Sequence, residues 1–223
     1  MSLIVQNKLS EKVSVSLLQI NAIKLNTTNY FTWASGIKSP IYCDNRQTLA
    51  IPKVRKMICR KFSTLINSHY PDVQYIAGVA TGAIAHGMLV AHTLNLPYLY
   101  VRPKPKEHGL ENQIEGIVDP GKTVVVIEDL ISTAGSSLSV IDALRMAEFR
   151  VLGLYAIFSY EFWKAIDALS EANCPYTTLT DYHELVKTAV SHNYITPDQA
   201  AILNEWHGNI NKNELLNTNK TPC

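Results

Sequence analysis

The sequence offers few covalent or electrostatic handles. Its four cysteines, Cys43, Cys59, Cys174 and Cys223, stand far apart without a C-x-x-C pair, which argues against a zinc framework or a disulfide scaffold and suits reduced thiols. Charged residues make up only 17% of the chain and nearly cancel, leaving a net charge of +1. A broad basic face for nucleic acid or a membrane surface is therefore excluded. No apolar run approaches the about 18 residues of a membrane span. Met1 to Lys8 is too short an apolar stretch for a signal peptide, so a cytoplasmic location is expected and the Asn26-Thr-Thr and Asn219-Lys-Thr sequons are chance matches. Neither internal repeats nor low-complexity segments occur. Against these absences stand 223 residues that are 47% hydrophobic, enough to bury one complete core.

Apolar periodicity predicts helices over Glu11 to Ile20 and Lys53 to Ile66. Strands are predicted at Tyr75–Val79, Tyr98–Val101, Thr123–Ile127 and Val151–Phe158, alternating with helices. Such a βαβ series implies an α/β fold with a mainly parallel sheet, right-handed crossovers and ligands at the carboxyl ends of the strands. Leu179 to Trp206 reads as two short helices, with Asp181 and Pro197 near their starts. The Asn- and Lys-rich residues after Gly208 are expected to fray.

The most informative stretch is Thr123-Val-Val-Val-Ile-Glu-Asp-Leu-Ile-Ser-Thr-Ala-Gly-Ser-Ser137. Its β-branched run has the pattern of a strand buried on both faces. Small, hydroxyl-bearing residues then lead into Leu138, Val140, Ile141 and Leu144 at helical spacing. Unpaired N–H groups at a helix start carry partial positive charge and, with hydroxyls, can hold a phosphate dianion. Glu128 and Asp129 would repel that phosphate unless they met ribose hydroxyls or a shared magnesium ion. Ser136 or Ser137 alone would suit an ordinary helix cap; two acids ahead of the loop call for ligand chemistry. The whole string resembles the 5-phosphoribosyl 1-diphosphate (PRPP) signature of type I phosphoribosyltransferases. The resemblance implies that Glu128 and Asp129 take the ribose hydroxyls, and that Leu130, Ile131, Ser132, Thr133, Ala134, Gly135 and Ser136 complete the PRPP site around the 5-phosphate.

Gly116-Ile-Val-Asp-Pro-Gly-Lys-Thr123 satisfies the letters of a nucleotide-binding P-loop. Its context is wrong, because such a loop must follow a strand and open a helix. Here Asp119-Pro120-Gly121 reads as a turn that leads into a strand.

Further signals lie on other loops. Arg102-Pro-Lys104-Pro-Lys106-Glu-His108-Gly109 gathers three fixed cations and a histidine where prolines and glycine forbid a helix. A long loop of this kind suits an active-site lid that meets phosphates. With Asn112-Gln-Ile-Glu-Gly116 it is similar to the catalytic loop of orotate phosphoribosyltransferases. That likeness implies pyrophosphate binding and catalysis by Arg102, Lys106 and His108, together with Asp129, and a homodimer in which the 102–116 loop reaches the neighbouring subunit's site. Many members carry a lysine where this chain has Pro103; Lys104, one place later, is the available substitute.

Phe31 to Arg46 is similar to that family's N-terminal hairpin over the base, with a turn at Ser35-Gly36. Phe31, Trp33 and Tyr42 could stack on a pyrimidine, although their spacing also fits core positions. Ala34 replaces a substrate-contacting family lysine. Tyr75 to His86 resembles the pyrophosphate loop, where Ala80, Thr81 and Gly82 would admit a phosphate close to the backbone; His86 and His92 read as packed or solvated.

These resemblances together imply a type I phosphoribosyltransferase fold over residues 1–208, with a hood at about 1–50, a core at about 51–208 and a tail at 209–223. The implied activity is transfer of a phosphoribosyl group from PRPP to orotate, giving orotidine 5-phosphate and diphosphate in UMP synthesis. Ser132 would touch orotate, and magnesium would arrive with PRPP near Asp129, without a direct protein ligand. A transferase for another base and a PRPP-sensing regulator are the rival readings; the hairpin and the cationic lid oppose them.

Overall fold

The computed structural model describes residues 3–4, 7–102 and 113–212. In chain order the elements are β1 (Leu3–Ile4), α1 (Asn7–Gln19), β2 (Ile23–Leu25), β3 (Phe31–Thr32), β4 (Lys38–Ser39), β5 (Ile41–Cys43), a 3-10 turn (Asn45–Ala50), α2 (Pro52–His69), β6 (Tyr75–Val79), α3 (Ile84–Leu94), β7 (Tyr98–Val101), β8 (Ile114–Glu115), β9 (Thr123–Ile131), α4 (Gly135–Met146), β10 (Arg150–Ser159), α5 (Trp163–Glu171), β11 (Tyr176–Asp181), α6 (Tyr182–Ser191) and α7 (Pro197–Lys212).

The main sheet runs in the order β1-β11-β10-β9-β6-β7-β8. Every pairing in it is parallel except β7 with β8. β9 is therefore central, and its apolar run explains why: Val124 to Ile127 are completely buried, as expected for a strand covered on both faces. The order β10-β9-β6 places the carboxyl ends of β6 and β9 side by side, so the loops that follow them share one edge.

The structure corrects several boundaries. β9 continues through both acids to Ile131, because β10 pairs alongside as far as Ser159 with Ile131. Residues 176–181, assigned in part to a helix from their sequence, form the strand β11. Its mixture of Thr, Tyr, Leu and Asp is buried throughout between β1 and β10, and tertiary enclosure outweighs the weak local signal. α6 follows with Asp181 as its N-cap, accepting from the Glu184 N–H at 2.9 Å, and Pro197 opens α7. α7 runs through Gly208 to Lys212 because Trp206, His207 and Ile210 are buried on one face, so fraying does not begin at residue 209.

Within the first 50 residues, α1 docks on the sheet. Ser10 and Ser14 share hydrogen bonds with Thr180 of β11 at 3.0 and 2.6 Å. The hairpin β3–β4 turns at Gly36, whose φ of 84° is open to glycine but strained for other residues. Trp33 packs against Tyr160, Phe162 and Trp206. Trp206 Nε1 donates to the Lys38 carbonyl at 2.9 Å. The C-terminal helix thus holds the hood onto the core.

Candidate active site

The site is built at the carboxyl ends of β9 and β6. Glu128 is buried, and its carboxyl turns inward. One oxygen accepts the Asp129 N–H at 2.9 Å; the other accepts the Ser137 hydroxyl at 3.0 Å and the Ser136 hydroxyl at 3.4 Å. Burial first, and the neighbouring Asp129 second, push the Glu128 acid well above the usual carboxylate range.

Asp129 is half-buried. Its carboxyl lies directly over Gly82, where a Cβ would collide with all three carboxyl atoms. That contact joins the strand-end acids to the loop after β6. Asn45 closes the third side, its Nδ2 donating to the Asp129 carbonyl at 2.5 Å. The adjoining hood residues feel the same charge: burial, then Asp129, then Asp44 push the Cys43 thiol well up. Asn45 was not singled out from sequence, since a lone amide among hood residues has no pattern; its buried position, 1% exposed, is what reveals it.

After Ile131, Ser132 and Thr133 are half-exposed, and Gly135 and Ser136 are exposed at the start of α4. Ala134 turns the chain with φ 62°, a left-handed value, and no side chain caps the helix. The first N–H groups of α4 are therefore open to an anion. The Ile131 side chain is in the core, and Leu130 is half-buried beside it. Ser137 is fully buried and engaged by Glu128.

Opposite, Ala80 and Gly82 are half-buried, Thr81 is exposed, and Ala83 leads into α3. The Ala80 N–H bonds the Val101 carbonyl at 2.9 Å, so this loop is anchored beside β7. Arg102 follows β7 directly. Its N–H donates to the Gln113 carbonyl at 3.0 Å, and Gln113 Nε2 returns to the Arg102 carbonyl at 3.1 Å. The two ends of the cationic segment are thus pinned together next to the site. Lys104, Lys106 and His108 lie outside the described residues.

Of the hood aromatics, Trp33 is committed to core packing, while Phe31 and Tyr42 pair at 5.7 Å, with Tyr42 exposed. Ala34 is exposed at the hairpin turn. His86 is buried and bonded to Thr48, and His92 is exposed. Lys122 leads into β9, which Thr123 opens, rather than into a helix, which removes the nucleotide-loop reading. A cleft of about 610 Å³ between the hairpin and α7, lined by Tyr30, Lys38, Glu205 and Trp206, includes neither Asp129 nor Ser132. Among the described residues, no group of three or more His, Cys, Asp or Glu side chains could hold a metal ion, and no helix is long and apolar enough to cross a membrane.

A parallel sheet whose central strand ends in an acid pair and an open helix N-terminus, faced by a small-residue loop from the adjoining strand, defines a type I phosphoribosyltransferase. Comparison with known proteins narrows the class. No family model matches the chain. A protein of Cytophaga hutchinsonii named orotate phosphoribosyltransferase is 48% identical over 200 residues, covering 90% of this chain and 96% of that protein. One of Listeria innocua with the same name is 49% identical over 201 residues, with coverage of 90% and 96%. Among solved structures, Leishmania donovani UMP synthase superposes with a TM-score of 0.76 at 25% identity, covering 89% of this chain and 42% of that one. Orotate phosphoribosyltransferase from Aeropyrum pernix gives 0.71 at 22% identity, with coverage of 82% and 99%. The chain belongs to the orotate phosphoribosyltransferase family.

Proposed function

We propose that this enzyme transfers the 5-phosphoribosyl group from PRPP to orotate, releasing diphosphate and forming orotidine 5-phosphate for UMP synthesis in the cytoplasm. The observation that carries the reading is the contact between Asp129 and Gly82, which sets a ribose-binding acid against a loop suited to pyrophosphate.

The 5-phosphate is held by the α4 N-terminus with Ser132, Thr133, Ala134, Gly135 and Ser136, where open N–H groups and hydroxyls meet the dianion. Asp129 is the better placed of the two acids to accept the ribose hydroxyls, because the Glu128 oxygens already receive Ser137 and the Asp129 N–H. Ala80, Thr81 and Gly82 receive the diphosphate without side-chain obstruction. Ser132, at the turn into the helix, touches the base.

The anomeric carbon loses diphosphate with oxocarbenium character and takes the orotate nitrogen on its opposite face, as in glycosyl transfer generally. Negative charge grows on the departing diphosphate. Arg102, Lys104, Lys106 and His108 neutralise it, and the effect is greatest in the transition state. Hard oxygen donors fit magnesium, so an ion arriving with PRPP would find the Asp129 carboxylate among the groups able to hold it. Bound there, it would supply charge neutralisation to the diphosphate. The enzyme acts as a homodimer whose 102–116 loop reaches the neighbouring subunit's site.

Steady-state consumption of orotate with PRPP, with and without magnesium and against uracil and hypoxanthine, tests the reading. Magnesium-dependent consumption of orotate alone is expected. Turnover of another base, or PRPP binding without turnover, overturns it. Lys106→Ala should cost about 2 to 4 kcal/mol in the turnover barrier, by analogy with removal of other charge-stabilising groups; an unchanged kcat rejects its role. Sedimentation equilibrium at assay concentration reads the dimer, and a monomer with full activity rejects it.

A further inference from the structure

β9 loses one of its two neighbours where the site begins. Its register with β6 stops at Gly78 with Ile127, and that with β10 passes from Ala156–Glu128 to Phe158–Leu130. Asp129 therefore sits where β6 no longer pairs and β10 alone runs alongside, in unbroken register to Ile131. Its carbonyl is taken instead by the side chain of Asn45, from a segment 84 residues earlier in the chain.

Asn45 is itself held in place. It begins the 3-10 turn, which Asp44 caps by accepting the Arg46 N–H at 3.2 Å and Arg46 Nε at 2.6 Å. The Thr48 hydroxyl donates to the Asn45 carbonyl at 2.6 Å and lies 2.9 Å from His86 Nε2. A hydroxyl has one proton. With that proton on the Asn45 carbonyl, Thr48 must accept from His86, which fixes the imidazole as the neutral Nε2–H tautomer and leaves Nδ1 as an unprotonated acceptor. His86 Nδ1 is indeed buried without a partner, as is Asn45 Oδ1. Burial holds the His86 pKa down to about 4, so the tautomer persists through neutral pH. Asn45, Thr48 and His86 are each no more than 1% exposed. This relay runs from α3 through the hood turn to the strand end that carries Asp129.

We propose that Asn45, backed by Thr48 and His86, is a positioning residue that fixes Asp129 for the ribose of PRPP and thereby couples seating of the hood to formation of the ribose site. The proposal rests on the reading of Asp129 as the ribose-binding acid. Its logic is geometric: a carboxylate that must meet vicinal hydroxyls loses affinity when its backbone shifts by a fraction of an ångström. On the side where β6 has ended, the hood amide holds that backbone.

The test measures KM for PRPP and for orotate, and magnesium–PRPP binding by calorimetry without any base, for the wild type, Asn45→Ala, Asn45→Asp, Thr48→Val, Asp129→Asn and the Asn45→Ala/Asp129→Asn pair. Asn45→Asp is near-isosteric and lacks the donor, so it reports on the hydrogen bond if the alanine variant folds poorly; thermal unfolding monitors both. Losing the bond should raise KM and the calorimetric Kd for PRPP roughly tenfold, with KM for orotate changed by less than about twofold, a split that general loosening would not produce. Thr48→Val should move the same constant in the same direction. In the double variant the Asn45 effect should vanish, because it acts through Asp129. Unchanged PRPP binding in folded Asn45→Asp, equal losses for both substrates, or multiplying effects in the double variant would overturn the proposal. Failure of the wild type to consume orotate, with PRPP binding still sensitive to Asn45, would instead count against the assigned reaction and leave the relay standing.

Discussion

Replacing Gly82 by alanine separates stability from function, and the structure predicts the sign of each. The added Cβ would meet the Asp129 carboxyl and nothing closer. That carboxyl is the free end of a short side chain, so it can rotate away at about 1 kcal/mol. The alanine also restricts the unfolded chain, which returns about 0.4 to 1 kcal/mol. Net stability should therefore change by less than about 1 kcal/mol, a shift of only a few degrees in Tm for a domain of this size. Ligand binding is another matter. A displaced Asp129 forfeits charged hydrogen bonds to the ribose, worth about 1.5 to 3 kcal/mol, so KM for PRPP should rise roughly 10- to 150-fold. Thermal unfolding and steady-state kinetics at saturating orotate read both quantities on one preparation. A variant with normal KM for PRPP would show that Asp129 does not hold the ribose from this position. A collapse of Tm would show that Gly82 is needed for backbone packing instead.

Four further outcomes follow from particular contacts. His86 has a folded pKa of about 4 against 6.5 in the unfolded chain, so the stability tied to its neutral form is present above pH 6.5 and lost as pH falls towards 4. The loss is roughly 3 kcal/mol, and urea unfolding of the wild type against His86→Gln checks it; equal pH slopes for the two would refute it. Glu128 has the opposite sign: its raised pKa makes stability fall as pH rises out of the ordinary carboxylate range, and Glu128→Gln should flatten that part of the profile. Trp206→Phe removes the donor to the Lys38 carbonyl and should lower stability by about 1 kcal/mol, read as a lower Tm; an unchanged Tm would mean that ring packing alone holds the hood. A Cβ at Gly208 meets nothing within 4 Å, so Gly208→Ala, inside α7, should stabilise by up to about 1 kcal/mol without altering kcat or KM.

Local chemistry made much of this protein legible. The β-branched run at 124–127, the acid pair and the small-residue loop carry their meaning in consecutive residues, because strand burial, anion binding at a helix start and charge repulsion are all short-range consequences of neighbouring side chains. The strands at 75–79 and 98–101 were found for the same reason. Less legible were elements whose state depends on distant partners. β11 mixes Thr with apolar residues and becomes a strand only because β1 and β10 enclose it. Extension of α7 past Gly208 depends on the burial of Ile210, which no local cap announces. The relay from His86 to Asp129 joins residues 48, 86 and 129 through Asn45, and no periodicity links them.

Taken alone, the sequence determined the fold class, since the alternation of strands and helices follows from patterns within about fifteen residues. Tertiary structure decided that Glu128 turns inward to Ser137 while Asp129 lies against Gly82, and that an amide from the hood secures the acid's backbone. Those choices come from packing and desolvation between segments far apart in the chain, where the free energy depends on what encloses each group rather than on what adjoins it.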